Sequence, residues 1–231
     1  MTEPFKLMNI FPVPLLIRSI PNTAALNRSL RDKILAREKA DVGMTRSNAD
    51  GWHSDLTLLT WPEPEIASLR KWIDEASREL SIVAVRDANK IVDVSYEAQG
   101  WANVNRHGNY NVAHTHPNTH WSMVYYVEMG EPEPGHRLNG IIEFRDPRPR
   151  ATGFPGLDFG QAWRITPEAG LFLVFPAWLE HMVHPFFGTG TRISLAINVR
   201  FTKFQVRDKT PDEAKTAAPI ASAAQPVRLT P

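Results

Sequence analysis

The chain contains no cysteine among its 231 residues. This absence excludes disulfide bonds, thiolate metal ligands and a cysteine nucleophile, and it favours a reducing, cytoplasmic setting. The formal net charge is only +1, so no excess of charge indicates nucleic acid or an anionic membrane as a partner. No apolar run is long enough to cross a bilayer, and the N-terminus lacks the pattern of a signal peptide. These absences predict a cytoplasmic protein.

Two helical patterns come before a β-rich region. Apolar residues recur at helical spacing after Asn22 or Thr23, either of which can cap the first helix, and again after Glu65. From about Gln99, Gly, Pro and Asn clusters separate short β-rich segments, a pattern typical of a sandwich or barrel. These segments are 99–106, 111–116, 121–129, 139–145, 161–166, 171–176 and 191–201. The order predicts an α+β fold with a jelly-roll core and N-terminal helices packed on one face.

We assign residues 1–206 to one domain that includes the helical part. Residues 207–231 are rich in Ala, Pro and Thr and show no large apolar period. Such a composition predicts a disordered tail.

Histidines give the first indication of chemistry. Four of the eight lie between residues 101 and 126, and an extended segment would place His114 and His116 on one face because side chains alternate with period two. His181 follows an apolar strand pattern and is the best candidate for a third ligand. Three neutral imidazoles would leave coordination positions open, as a catalytic metal site requires. The competing interpretation is ordinary histidines with satisfied hydrogen bonds.

An arginine in apolar surroundings gives the second indication. Arg192 comes eleven residues after His181, far enough for the chain to turn once and return on a neighbouring strand. Arg192 and Ser194 would then share a strand face, and this pair suits a carboxylate, which arginine binds through two parallel hydrogen bonds. A buried guanidinium needs a partner, which is either a structural ion pair or a carboxylate ligand.

Together these motifs resemble the iron(II)/2-oxoglutarate-dependent dioxygenases, and most closely a group of 2OG-Fe(II) oxygenases found in bacteria and phages. The matching motifs are SNADGWHS at 47–54, HTHP at 114–117, VYYV at 124–127, FRDPR at 144–148, FPAWLEH at 175–181, and RIS at 192–194 with Asn198. The resemblance implies a double-stranded β-helix and an enzyme that uses Fe(II) and 2-oxoglutarate to hydroxylate a C–H bond. It does not choose between a small-molecule, a peptide and a protein substrate, or between a monomer and a homodimer.

The resemblance also implies roles for single residues. His114, His116 and His181 would bind the metal, and Arg192 and Ser194 would bind the far carboxylate of 2-oxoglutarate. Tyr126 resembles a tyrosine that hydrogen-bonds this carboxylate in prolyl hydroxylases. The chain departs from the superfamily at one position, because the usual centre has two histidines and one carboxylate.

That position is His116, where an acid is expected. The site is therefore either a three-histidine variant or one in which another residue, such as His120, is the ligand. His184 is a weaker candidate than His181 because of its spacing to Arg192.

Two other functions stay open. The first is a cupin-type dioxygenase or isomerase with three histidines, which would share the jelly roll but would not need Arg192. The second is a jelly roll that binds metal without catalysis. Asn103, Asn105 and Trp178 either line the pocket of the 2-oxoglutarate enzyme or have structural roles.

Overall fold

The computed structural model describes residues 12–148 and 162–210, apart from residues 86 and 88. It contains two α-helices, α1 (Ala24–Ala40) and α2 (Pro64–Val85), and a short 3₁₀ turn at Leu58–Thr60. The strands, in chain order, are β1 (Leu16–Ser19), β2 (Asn48–Ala49), β3 (Trp52–His53), β4 (Lys90–Asn105), β5 (Tyr110–His114), β6 (Trp121–Pro132), β7 (Ile142–Phe144), β8 (Trp163–Ile165), β9 (Leu171–Pro176), β10 (His181–Val183) and β11 (Gly188–Asp208). Within these described residues, neither helix is long and apolar enough to cross a membrane.

The strands form two antiparallel sheets. The larger sheet has the order β1-β9-β6-β11-β4-β3, and the smaller has the order β2-β5-β10-β7-β8. Long pairings of β11 with β4 and with β6 make up the centre of the larger sheet. Of the predicted α+β jelly roll, the mainly antiparallel sheets and the small number of helices are confirmed for the described residues.

The larger sheet has two apolar faces, and β6 shows this most clearly. Tyr125 belongs to a buried cluster that also contains Leu30 of α1 and Ile73 of α2. Its neighbour Tyr126 belongs to a second cluster with Phe144 of the smaller sheet. Because adjacent strand residues point to opposite faces, Tyr125 faces the helices and Tyr126 faces the space toward the smaller sheet.

Some boundaries differ from the sequence prediction. β4 begins at Lys90 rather than near Gln99, because its first half alternates half-buried and exposed residues and pairs with the end of β11. Thr23 occupies the N-cap of α1, but its side chain makes no capping hydrogen bond. β11 continues to Asp208, and the rest of the predicted tail, from residue 211, lies outside the described residues.

The predicted strand 111–116 is shorter than expected. β5 ends at His114, and the backbone N–H of His116 bonds to the carbonyl of Ala177 outside the strand ladder (2.8 Å). Pro117 has no N–H for a continuing ladder and begins a turn. His114 and His116 therefore do not share a strand face, and His116 reaches the site from a connection.

Candidate metal centre

Three histidines converge between the two sheets. β5 ends at His114 and β10 begins at His181, and the two residues are direct partners across these antiparallel strands. His116 completes the group from the connection after β5. One nitrogen from each of His114, His116 and His181 lies within 4.8 Å of the others. The structure thus brings together the three histidines that the sequence suggested.

Hydrogen bonds turn the Nε2 atoms of two of these rings toward the centre. The Nδ1 atom of His114 lies 2.6 Å from the carbonyl oxygen of Val112, and that of His181 lies 2.9 Å from the carbonyl oxygen of Leu179. A carbonyl only accepts, so both Nδ1 atoms carry the proton and both Nε2 atoms carry a lone pair. The Nε2 atom of His116 lies 3.3 Å from that of His181. This arrangement can hold a metal ion.

Burial keeps the three rings neutral. Desolvation, reinforced by neighbouring rings, lowers the pKa of His181 to about 3 and that of His116 to about 4. Desolvation also lowers the pKa of His114. A metal ligand must be a neutral imidazole with a free lone pair, so the site favours the ligating form at neutral pH.

A buried arginine lies on the wall of the same cavity. Arg192 on β11 is 1% exposed, and its Nε donates to the carbonyl of Gly140 (3.2 Å). Its guanidinium carbon lies 5.3 Å from the ring centre of Tyr126. Ser194 on β11 is the direct cross-strand partner of Tyr126, and all three side chains line the cavity that contains the histidines.

Three buried polar atoms that line this cavity lack a hydrogen bond among the described residues, namely Oδ1 of Asn103, the Tyr126 hydroxyl and Nη2 of Arg192. The Tyr126 hydroxyl and the Arg192 guanidinium interact with each other. Among the described residues, however, the hydroxyl and Nη2 make no well-formed hydrogen bond, and no carboxylate forms an ion pair with Arg192. Burial raises the pKa of the Tyr126 phenol to about 12, against the opposing charge of Arg192, so the phenol stays a donor. Two buried donors without acceptors beside a metal-binding cluster fit a ligand with a carboxylate at one end.

A family model described as "Putative 2OG-Fe(II) oxygenase" matches residues 99–198. This segment includes all three histidines as well as Tyr126, Arg192 and Ser194. Over this segment the chain matches the 2OG-Fe(II) oxygenase family, which indicates an oxygenase that depends on Fe(II) and 2-oxoglutarate. No curated protein sequence matches it.

Solved structures of this oxygenase class share the fold. A prolyl-4-hydroxylase from Pseudomonas putida has a TM-score of 0.57 at 16% identity, covering 81% of this chain and 92% of its own. A prolyl hydroxylase from Trichoplax adhaerens, solved with a hypoxia inducible factor peptide fragment, has a TM-score of 0.52 at 10% identity, covering 88% and 87%. HygX from Streptomyces hygroscopicus, solved with nickel and 2-oxoglutarate bound, has a TM-score of 0.52 at 12% identity, covering 82% and 84%.

The cofactors of this 2OG-Fe(II) oxygenase are Fe(II) and 2-oxoglutarate. The residues present fit both groups. Three imidazole nitrogens provide a metal-binding cluster, and the unpartnered donors of Tyr126 and Arg192 lie on the wall of the same cavity. A dicarboxylate would give those donors the acceptor that they lack.

The other candidate histidines of the oxygenase lie elsewhere. His120 accepts a hydrogen bond from the backbone N–H of Phe201 (3.0 Å) and stacks on its ring. His184 contacts the carboxylate of Glu143 through Nε2 (3.1 Å). Neither residue belongs to the convergent group, so the geometry favours His116 and His181 over these two.

The cavity wall differs in part from the sequence prediction. Asn103 lines the cavity, whereas Asn105 and Trp178 are not among its lining residues, and Trp178 is 54% exposed. Sequence reasoning missed Trp101, whose indole stacks on His53 (5.3 Å between ring centres) and lies 5.8 Å from the ring of His116. The signal that could have found it is its place in β4, two residues before Asn103 and therefore on the same face.

The lowered histidine pKa values predict acid sensitivity of the metal-free oxygenase. His181 ionises in the folded protein only near pH 3 but near its ordinary value of about 6.5 once unfolded. Its contribution to stability is therefore complete above pH 6.5 and is lost as the pH falls toward 3, by at most about 1.4 kcal/mol per pH unit. We expect urea denaturation between pH 7 and 4.5 to show this loss and His181→Phe to make the slope shallower. Equal slopes in the two proteins would contradict the prediction.

Proposed function

We propose that this oxygenase hydroxylates a C–H bond of a substrate, with Fe(II) on His114, His116 and His181. Arg192, Ser194 and Tyr126 would bind the far carboxylate of 2-oxoglutarate. The observation that carries the proposal is the convergence of three imidazole nitrogens in one cavity with a buried arginine that has no anionic partner among the described residues. When bound, the two cofactors would supply the oxidising chemistry with O₂, of which one oxygen atom enters succinate as 2-oxoglutarate loses CO₂ and the other enters the hydroxylated substrate.

The chain's own residues would position the two cofactors and shield the site from water. The carbonyls of Val112 and Leu179 orient His114 and His181 so that their lone pairs face the metal. Arg192 and Tyr126 would fix the far end of 2-oxoglutarate so that its keto acid end reaches the metal. Phe175 packs edge-on against His181, with 4.7 Å between ring centres, and excludes water from that side of the site.

The same proposal includes the finer features of the fold, the class of substrate and the cellular location. We infer that the two sheets form a double-stranded β-helix, that the helices cover one face, and that residues 1–206 make one domain. Contacts of α2 with β4 and of α1 with β6 support the placement of the helices. The substrate would be a small molecule, a peptide or a protein side chain, and a peptide is plausible because one solved relative of the fold was crystallised with a peptide fragment. Cytoplasmic location and a homodimer stay predictions.

Anaerobic binding of the cofactors tests this proposal. Protein with Fe(II) and 2-oxoglutarate is expected to give a weak visible charge-transfer band, because the keto acid chelates iron. Pyruvate is the matched control ligand, since it has the keto acid but lacks the far carboxylate, and we expect it to bind roughly 30-fold more weakly or worse.

The alternatives give different outcomes. Full iron binding without a band would contradict the use of 2-oxoglutarate and favour the cupin-type enzyme. An absence of iron binding would favour a jelly roll without catalysis.

A further inference from the structure

A line of three polar side chains connects the sheet to the metal-binding group. The Ser122 hydroxyl lies 2.8 Å from Oδ1 of Asn198, and Nδ2 of Asn198 lies 3.2 Å from Nδ1 of His116. Ser122 on β6 and Asn198 on β11 are direct cross-strand partners. Ser122 is only 2% exposed, so the amide of Asn198 is held between a buried hydroxyl and the imidazole.

His116 differs from the other two histidines in what its Nδ1 atom contacts. His114 and His181 meet backbone carbonyls, which fix the proton on Nδ1. His116 meets an amide, which presents an acceptor on one side and a donor on the other. The amide can therefore serve either tautomer of His116, and its orientation decides which nitrogen carries the proton.

Each orientation has a different consequence at the centre. In this structure Nδ2 of Asn198 faces His116, so the proton of that ring is on Nε2 and points at Nε2 of His181, 3.3 Å away. If Oδ1 accepts from His116, the proton is on Nδ1, and the Nε2 lone pair is free for a metal. Only the second orientation gives three ligating nitrogens.

We propose that Asn198, hydrogen-bonded to Ser122, is a positioning residue that holds His116 in its metal-binding tautomer when a metal is bound. In that arrangement the amide of Asn198 is turned over from its orientation in this structure, so that Oδ1 accepts from Nδ1 of His116 and Nδ2 donates to the hydroxyl of Ser122. A carboxylate, the usual ligand at this place, has no tautomer to set, whereas a histidine needs a partner that sets it. The inference rests on the metal centre of the proposed function but not on 2-oxoglutarate.

Binding of Zn(II) to variants of Asn198 tests this inference. Asn198→Leu removes the acceptor at similar volume, and we expect it to weaken Zn(II) binding roughly 10- to 100-fold, as for other partners of metal ligands. Asn198→Asp keeps an acceptor and has no donor, so it is expected to retain wild-type affinity or exceed it. Ser122→Ala is expected to give a smaller loss than Asn198→Leu. If Asp weakens binding as much as Leu, the amide does not act as an acceptor and the inference is wrong.

Nitrogen NMR of protein with 15N-labelled histidine shows which ring nitrogen of His116 carries the proton. A merely structural role of Asn198 would leave this protonation pattern unchanged. In the Zn(II) form of the wild type, Nδ1 of His116 is expected to carry the proton. In Asn198→Leu, the His116 signals should lose this single-tautomer pattern while those of His181 keep it. An unprotonated Nδ1 in the Zn(II) wild type would overturn the inference.

Two further outcomes separate this inference from the proposed function. Zn(II) binding with the expected tautomer but no binding of 2-oxoglutarate would support the role of Asn198 and contradict the proposed function. A wild type that binds no Zn(II) would overturn both. Thermal unfolding of the metal-free variants checks that each one is folded.

Discussion

Replacing His181 with alanine is expected to abolish Fe(II) binding while leaving the protein folded. His181 is 5% exposed and opens β10 directly opposite His114, so no other side chain in the group can take its place. Partners outside the coordination sphere are worth roughly 10- to 100-fold in metal affinity, so loss of a ligand should cost more than about 100-fold. Anaerobic titration with Fe(II), followed by a colorimetric assay of bound iron, measures this effect.

His120→Ala is the matched control for this substitution. It removes another imidazole from the same histidine-rich segment, but one that bonds to the backbone of Phe201. We expect it to bind Fe(II) with wild-type affinity. Normal iron binding by His181→Ala, or a loss in His120→Ala, would show that the assigned ligands are wrong.

Some residues of the site could be predicted from the sequence, because the chemistry of their side chains demands a particular environment. An arginine in an apolar strand segment must find a partner, and the structure shows Arg192 buried beside the histidine cavity. The spacing from His181 to Arg192 predicts a return on a neighbouring strand, and this is wrong, because β10 and β11 belong to different sheets. The short connection between the two strands nevertheless brings Arg192 to the cavity that contains His181. Short spacing constrains geometry, so these residues could be paired before the fold was known.

The remaining features depend on contacts between distant segments. The alternation of side chains along a strand predicts that His116 lies on the same strand face as His114. The chain instead leaves that strand after His114, and the backbone N–H of His116 bonds to the carbonyl of Ala177. The contact between His116 and Asn198 joins residues 82 positions apart. No local pattern encodes such a contact, because it requires the relative placement of two sheets.

The register between neighbouring strands is the other feature that could not be predicted from the sequence. β6 and β11 change register between Ile193 and Ser194, as at a β-bulge, where one extra residue shifts which side chains are opposed. The shift places Ser194 directly opposite Tyr126 and so assembles the polar wall of the cavity. Alternation alone predicts the faces of each strand but not the offset between strands.

Arg192→Met is expected to remove 2-oxoglutarate binding without weakening the fold. Truncating one partner of a buried hydrogen-bonded charge pair costs about 2 to 5 kcal/mol, which corresponds to a loss of affinity of roughly 30-fold to several thousand-fold. Iron binding should be unchanged, because Arg192 is not in the histidine group. The loss would be measured as the 2-oxoglutarate concentration needed to develop the charge-transfer band.

The stability of the ligand-free variant separates a binding role from a structural one. Among the described residues Arg192 has no carboxylate partner, and its Nη2 makes no hydrogen bond, while burial lowers the pKa of its guanidinium. Replacing an uncompensated buried charge with an apolar side chain of similar length is often neutral or stabilising. We therefore expect the melting temperature of Arg192→Met to equal or exceed that of the wild type, whereas an arginine in a structural ion pair would show a decrease.

Two controls complete this test of Arg192. Arg145→Met removes an exposed arginine that pairs with Glu180, and it should change neither 2-oxoglutarate affinity nor stability by more than about 0.5 kcal/mol. Pyruvate has no far carboxylate for Arg192 to bind, so its weak affinity should be the same in the wild type and in Arg192→Met. If Arg192→Met weakens pyruvate and 2-oxoglutarate equally, the arginine shapes the cavity rather than binding the carboxylate, because only a direct contact distinguishes the two ligands.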